Sequence, residues 1–90
     1  LGMGADGHTA SIFAGPDLQR ALDAPRARRA VGVRPDPLPA EAPVARVTLT
    51  RAALLSSRTL IITITGAEKR ALLEQAIADG QSSKLPIGRV

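Results

Sequence analysis

The sequence predicts an α/β protein built on part of a parallel sheet with flanking helices. Residues 59–65 are β-branched and almost wholly apolar, which is typical of a strand covered on both faces, and a helix signal follows them at once. A glycine-rich turn at residues 2–8 has the composition of a turn that follows a strand. Because ligands of open α/β sheets bind at the carboxyl ends of the strands, we expect the turns at 2–8 and 65–69 at one edge of the sheet.

The first fifteen residues concentrate the unusual residue types of the chain. Three glycines fall between positions 2 and 7, and the only histidine and the only phenylalanine follow at positions 8 and 13. Glycine allows positive φ and lets a ligand approach the backbone closely, and the pair Asp6-Gly7 predicts a turn. Residues 8–14 are then expected to form a short helix with Phe13 as an apolar anchor. Such a turn can present His8 as a base to a small polar ligand, although a lone histidine is also common in purely structural positions.

Asp6 has two interpretations. Its carboxylate could orient His8 or bind a hydroxyl group of a substrate, or it could hold the glycine-rich turn through an Asx-type hydrogen bond. Close neighbours in sequence seldom point the same way, so the sequence favours the turn role.

Short elements are expected in the next part of the chain. Asp17 could cap a helix over residues 18–22, and residues 29–34 are typical of a short strand. Four prolines within residues 35–43 exclude a helix or a central strand and predict a proline-rich surface loop.

A second short strand and a cap follow the proline-rich loop. Residues 46–50 alternate in the way that a strand does. Val47 and Leu49 share one face of it, and Arg46, Thr48 and Thr50 share the other. Thr50 could then cap a helix over residues 51–56.

The helix after the apolar strand has clear start and stop signals. The spacing of Thr65 and Glu68 is that of a capping box and predicts a helix running to about Ala78. Its buried side is expected to carry Leu72, Leu73, Ala76 and Ile77. The glycine at position 80 predicts the stop, and Pro86 predicts the start of another helical turn.

Lys69 lies in the first turn of that predicted helix. A cation there opposes the positive end of the helix dipole, an arrangement that makes sense if an anion such as phosphate binds at the helix start. The alternative is a solvated lysine whose charge is offset by the neighbouring Glu68. Arg70, the next residue, is expected to face solvent.

Composition narrows the classes of function. The chain has 90 residues, enough for at most one small domain, and no cysteine that could form a disulfide or a thiolate metal site. Its single histidine and scattered carboxylates lack metal-ligand spacing. The net charge is +4, but one Phe and no Tyr or Trp argue against stacking on nucleic acid. No apolar run has the length of a membrane span and no secretory signal is present, so a cytoplasmic protein without a membrane partner is expected.

The segment GMGADGHTASIF closely resembles the G-x-G-x-D-G-H-x-A-S-L-F motif of bacterial 6-phosphogluconolactonases, in the glucosamine-6-phosphate isomerase/6-phosphogluconolactonase family. The resemblance implies that His8 is the general base that activates water. It also implies that Gly4, Asp6 and Gly7 lie at the substrate. One departure is that Phe13 is followed by alanine, where the family usually has proline.

The resemblance also implies an activity. Lactonases of this family hydrolyse 6-phospho-D-glucono-1,5-lactone to 6-phospho-D-gluconate in the pentose phosphate pathway, with no metal and no redox cofactor. Their strand–Thr-Gly-x-x-Lys–helix element implies a phosphate ligand at Lys69, and the strand after their proline-rich connection makes Arg46 a weaker candidate. The alternative is a glucosamine-6-phosphate deaminase or another sugar-phosphate isomerase of the same fold. The Asn-Glu-Pro sequence of the deaminases, however, has no match in Ser11-Ile12-Phe13.

The resemblance finally implies a larger protein. Residues 1–90 would form the C-terminal portion of a single lactonase domain with a Rossmann-like sheet, and an N-terminal half would supply a glycine-rich sugar-phosphate loop. Alone, the segment is expected to be aggregated or loosely folded and inactive, because its turn needs a strand before Leu1 and residues 60–64 need covering. A second alternative is an inactive segment that acts only as a structural part of a larger assembly.

Overall fold

The computed structural model describes residues 1–40 and 43–90. Its main elements follow in the order α1 (Leu18–Asp23), β1 (Ala30–Val33), β2 (Arg46–Leu49), α2 (Arg51–Leu54), α3 (Ala67–Asp79) and α4 (Pro86–Arg89). A 3-10 turn at Gly80–Ser82 lies between the last two helices. Helices and strands together give an α/β fold, as the sequence predicts. No helix among the described residues is long and apolar enough to cross a membrane.

Both short strands are confirmed, and they pair with each other. β1 and β2 run antiparallel, with Ala30 opposite Leu49 at one end. The predicted alternation of β2 is also confirmed: Thr48 is 3% exposed, whereas Val47 is 74% exposed. The inward threonines keep their hydroxyls satisfied, since Thr48 Oγ1 accepts from the Ser11 N–H and Thr50 Oγ1 donates to a backbone carbonyl. The apolar side of β2 therefore faces outward, and hydrogen-bonded threonines occupy the inner face.

Residues 59–65 differ from the predicted central strand. Among residues 1–40 and 43–90 they are not part of the β1–β2 sheet, and they pair with the start of the chain: the Leu1 amine donates to Ile61 O at 2.7 Å, and Thr63 N–H donates to Leu1 O at 2.9 Å. These two bonds flank Ile62 in the pattern of a parallel pair. Ile62 packs toward α3, but Ile61 is 64% exposed. Within the described residues the segment is therefore covered on one face only, since Ile62 and Ile64 are half-buried whereas Leu60 and Ile61 are exposed.

Residues 8–14 form no helix, contrary to the sequence prediction. Thr9 and Ile12 form an isolated antiparallel bridge, and Ala10 between them has φ +49°. Thr9 Oγ1 donates to Gly2 O at 2.8 Å, and the Ser11 N–H is taken by Thr48. The Ser11 N–H, which a helix would have bonded to a nearby backbone carbonyl, thus donates to a distant residue instead.

The helix signals are confirmed in part. Thr50 caps α2 by accepting from Ala53 N–H, and Pro86 is the first residue of α4. Asp17 precedes α1, but its carboxylate accepts from Arg34 N–H and does not cap the helix. α3 begins after Gly66, at φ +94°, with no side-chain cap, so the predicted capping box does not form.

The burial predicted for one side of α3 is only partly observed. Ala76 is buried in α3, but Ile77 is 73% exposed and its predicted burial is wrong. Successive helical residues are about 100° apart, so Ile77 lies beyond the arc that one packing layer covers.

The loop at 35–43 contains no helix or strand where it is described, and Glu41 and Ala42 lie outside the described residues.

Two apolar clusters enclose the glycine-rich turn. The first contains Ile12, Ala21, Leu22, Val31, Val33 and Leu54. The second contains Met3, Ala76 and Ile87, with Ile62, Ile64, Leu72, Leu73 and Leu85 packed against it. Because Met3 belongs to one cluster and Ile12 to the other, the segment between them is held at both ends.

Candidate active site

The chain from Gly4 to His8 closes into a tight loop, which we call the histidine loop. Gly7 N–H donates to Gly4 O, and Gly4 N–H donates to His8 O, both at 2.9 Å. Gly7 has φ +83°, a conformation that side chains rarely adopt. Asp6 Oδ1 accepts from the His8 N–H at 3.1 Å, which is an Asx-type turn. The loop therefore presents Asp6 and His8 from a single closed turn.

Asp6 also binds the imidazole of His8. The distance from Asp6 Oδ1 to His8 Nδ1 is 2.5 Å, and the side chains are 60% and 26% exposed, respectively. The two interpretations of Asp6 are thus compatible, because one oxygen holds both the turn and the ring. Partial burial raises the pKa of Asp6, but the hydrogen bonds from the His8 ring and backbone and the charge of His8 outweigh it and hold that pKa below its ordinary value. A carboxylate at this place favours the proton on Nδ1 and leaves Nε2 for proton transfer.

Gly4 and Gly7 make room for this arrangement on opposite sides. A Cβ at Gly4 would lie 2.2 Å from His8 Cε1 and 2.3 Å from Nδ1. A Cβ at Gly7 would lie 2.8 Å from side-chain atoms of Leu85, and Ile87 N–H donates to Gly7 O at 2.9 Å. Both glycines are therefore needed for packing: Gly4 admits the imidazole, and Gly7 admits the start of α4.

Phe13 and Arg46 complete the group around the imidazole. The rings of His8 and Phe13 are stacked, with centroids 4.2 Å apart and planes inclined by 22°. The guanidinium carbon of Arg46 lies 5.1 Å from the centroid of Phe13. The fold thus brings Arg46, from β2, to the same ring that contacts His8.

An open cleft borders this group. It has a volume of about 570 Å³, and it is lined by Asp6, by residues 13–15 and by the proline-rich segment 35–40. Ligand-binding clefts commonly have volumes of about 300–1,000 Å³. The cleft is therefore large enough for a sugar-sized molecule beside Asp6.

Lys69 stands apart from the histidine loop. It is half-buried in the first turn of α3, and residues 1–40 and 43–90 provide no hydrogen bond or ion pair to its ammonium. Arg70, by contrast, pairs with Glu74 at 3.0 Å and is exposed, as expected. The parallel pairing of Leu1 with Ile62 relates the histidine loop to the start of α3, because the segments that follow Leu1 and Ile62 run in the same direction. The histidine loop and the start of α3 therefore lie toward the same end of that pair.

The sequence missed three of the residues that shape this site. Phe13 was expected only as an apolar anchor, and Leu85 and Ile87 had no expected contact with the histidine loop. The available signal for Phe13 was that the only aromatic ring besides the histidine occurs five residues after it. Nothing in the sequence pairs residues 85–87 with Gly7, since that contact depends on tertiary packing.

The pKa of Asp6 gives a direct test of the Asp6–His8 contact. Because the folded state lowers this pKa, ionised Asp6 stabilises the fold above about pH 4, and the stabilisation is lost as the pH falls through the folded value. Carboxyl ¹³C NMR of the full-length enzyme should therefore give Asp6 a titration midpoint below the ordinary value of an aspartate. His8→Ala should raise the midpoint, since it removes the ring hydrogen bond and its charge. A midpoint at or above the ordinary aspartate value would contradict the contact.

The chain matches one protein family and several of its members over most of its length. The family described as glucosamine-6-phosphate isomerases/6-phosphogluconolactonase matches residues 1–90. A 6-phosphogluconolactonase of Pseudomonas putida is 38% identical over 88 residues, which cover 97% of this chain and 35% of that protein. One of Caulobacter vibrioides is 43% identical over 76 residues, which cover 82% of this chain and 32% of that protein.

A solved structure shows the same relationship. The crystal structure of a 6-phosphogluconolactonase from Shewanella baltica matches with a TM-score of 0.78 and 34% identity, over 97% of this chain and 35% of that one. The chain thus spans about a third of the length of the relatives that it matches. Since the family match extends over all 90 residues, the chain belongs to the glucosamine-6-phosphate isomerase/6-phosphogluconolactonase family.

Proposed function

We propose that this chain is part of a cytoplasmic enzyme that hydrolyses 6-phospho-D-glucono-1,5-lactone to 6-phospho-D-gluconate in the pentose phosphate pathway. The observation that carries the proposal is the Asp6–His8 contact in the histidine loop, at 2.5 Å. The names of the matched relatives support the choice of substrate. The family also includes isomerases, so a sugar-phosphate isomerase or deaminase is the alternative outcome of the test.

The chemistry begins with proton transfer to His8. Nε2 takes a proton from a water molecule, and the hydroxide oxygen forms a bond to the lactone carbonyl carbon. The oxyanion of the tetrahedral intermediate is stabilised by backbone N–H groups or by a cation. When it collapses, the bond from the carbonyl carbon to the ring oxygen breaks, and the ring oxygen takes the proton back from the imidazolium. Asp6 stabilises that imidazolium through Nδ1, as carboxylates do beside catalytic histidines.

The phosphate group is assigned to Lys69. Its ammonium and the backbone N–H groups at the start of α3 place two positive features together, which suits a phosphate. The space beside Gly66 is open, since a Cβ there would meet no heavy atom within 4 Å. Arg46 remains the second candidate, because its guanidinium lies within the group around His8. Gly4 and Gly7 lack side chains, which lets the substrate approach the backbone of the histidine loop closely.

The remainder of the enzyme is proposed to complete the sheet. In this proposal residues 1–90 form the C-terminal portion of one domain, and its Rossmann-like parallel sheet includes the pair of Leu1 and Ile62. The exposed Leu60 and Ile61 and the outward residues Val47 and Leu49 provide apolar surface for the rest of that domain. The partners are thus the phosphorylated lactone and the N-terminal half of the same enzyme, with no nucleic acid and no membrane.

A direct assay tests the proposed reaction. The full-length enzyme should hydrolyse 6-phosphogluconolactone and should release no ammonia from glucosamine 6-phosphate. The physical reason is that deamination needs further acid–base groups near the imidazole, and Asp6 is the carboxylate that contacts His8 within the described part of this chain. Release of ammonia without lactone hydrolysis would establish the alternative, and absence of both reactions would favour a purely structural segment.

Replacement of His8 tests the general base. His8→Ala in the full-length enzyme should lower kcat by about 10² or more and leave KM nearly unchanged, because general base catalysis typically contributes about 10²–10⁴. Thermal unfolding of the variant serves as the control for an intact fold. A loss of less than about threefold would remove His8 from the mechanism.

Replacement of Lys69 tests the phosphate site. Lys69→Ala should weaken kcat/KM for the phosphorylated lactone by about ten- to a hundredfold, since a charged hydrogen bond contributes about 1.5–3 kcal/mol. The unphosphorylated lactone should be affected much less. Lys84→Ala is the matched control, because Lys84 is an exposed lysine outside α3. Equal losses on the two lactones would contradict the assignment of Lys69.

A further inference from the structure

We propose that Phe13 is a positioning residue that fixes the plane of the His8 imidazole. This inference rests on the proposed function, because it concerns the same proton transfer. It assigns to the only phenylalanine of the chain a role in the reaction beyond packing, exerted through His8 and not through the substrate.

Three groups restrain the imidazole, and each restrains it differently. Asp6 holds the ring edge at Nδ1, at 2.5 Å. The backbone at Gly4 lies so close to the ring that a Cβ there would meet it at 2.2 Å. Phe13 covers a face of the imidazole, since its ring lies nearly parallel to it with centroids 4.2 Å apart. The direction of the Nε2 lone pair follows from the ring plane, so the stacked face sets where a proton is accepted.

Phe13 can hold another ring because it is itself held. Only 9% of it is exposed, and the preceding residue, Ile12, is fully buried in the first apolar cluster. The Ser11 N–H donates to Thr48 Oγ1 at 3.0 Å, which ties this segment to β2. Also on β2, the Arg46 guanidinium lies 5.1 Å from the Phe13 ring, within the range of a cation–π contact. The antiparallel sheet thus supports Phe13, and Phe13 supports the imidazole.

The first test compares two substitutions of Phe13 in the full-length enzyme. Phe13→Leu keeps an apolar side chain but removes the flat face, and it should lower kcat about ten- to a hundredfold with KM changed less than threefold. Small errors in the placement of a catalytic group have effects of this size. Phe13→Tyr keeps the ring and should retain kcat within about threefold. Equal losses in both variants, or no loss in Phe13→Leu, would overturn the proposal.

Leu54→Val is the control for loss of packing. It trims a buried residue of α2 in the first apolar cluster, outside the segment that carries Phe13, so it should reduce stability and leave kcat unchanged. If Leu54→Val and Phe13→Leu lower kcat by the same factor, the effect is one of packing and the proposal fails.

A double variant separates action through His8 from any other action. In a His8→Ala background, Phe13→Leu should lower the residual kcat by less than about threefold, because the ring that it positions is gone. A full ten- to hundredfold further loss would show that Phe13 acts elsewhere, and would overturn the proposal.

Proton NMR of the His8 ring provides a readout that does not depend on activity. The ring current of a stacked phenylalanine should shift the His8 ring signals upfield, and the signals are identified by their absence in His8→Ala. Phe13→Leu should remove the shift, and Phe13→Tyr should keep it. If the unmodified enzyme shows this shift and the His8→Ala variant retains lactonase activity, the proposed function fails but the stacking stands. If Phe13→Leu removes the shift and leaves kcat unchanged, the positioning role fails and the proposed function stands.

Discussion

The approach of the Gly4 backbone to the imidazole of His8 is the constraint on which the candidate site depends. A Cβ at this position would lie 2.2 Å from the ring and 2.8 Å from Asp6 Oδ1, so any side chain would push both groups away. With glycine there, the Gly4 N–H can donate to His8 O while the imidazole stays in contact with Asp6. Glycine at position 4 is therefore required both for the backbone conformation of the histidine loop and for the Asp6–His8 contact.

The histidine loop is precise because rigid neighbours hold both of its sides. Met3 and Ile12 anchor it in separate apolar clusters, and Ile87 donates a hydrogen bond to Gly7. Groups held by packed elements keep a productive geometry better than groups on a free loop. α4 extends this support to α3, because a Cβ at Gly88 would lie 2.9 Å from Ala76 O. The helix that carries Lys69 and the loop that carries His8 thus pack against the same short helix.

The distribution of charge suits an anionic substrate. The two cationic residues considered for binding come from different elements: Arg46 from β2 and Lys69 from the first turn of α3. Arg46 contacts Phe13 beside the imidazole, whereas Lys69 stands at the end of a helix whose dipole adds to its charge. In the proposed function both are candidates for the one phosphate group of the substrate, and Lys69 is the first of them.

The sequence by itself determined the features that depend on local chemistry. The Thr50 cap, the proline at the start of α4, both short strands and the turn at Asp6-Gly7 all follow from what a few adjacent residues can do with their own backbone. The resemblance of the glycine-rich motif was equally local, and it led to the family. His8 and Asp6 were candidates for the same reason, since the turn that joins them lies within five residues.

Tertiary structure alone decided the features that need a distant partner. Residues 8–14 form a turn and not a helix because Thr48 Oγ1 accepts the hydrogen bond of the Ser11 N–H. Ile77 is exposed because neighbouring residues pack against one side of α3 only. The stacking of Phe13 on His8, the position of Arg46 and the contact of Leu85 with Gly7 were likewise decided by packing. Periodicity and propensity report what one segment prefers. They do not report which segment will meet it, and the surroundings of His8 are set by residues up to 79 positions away, at Ile87.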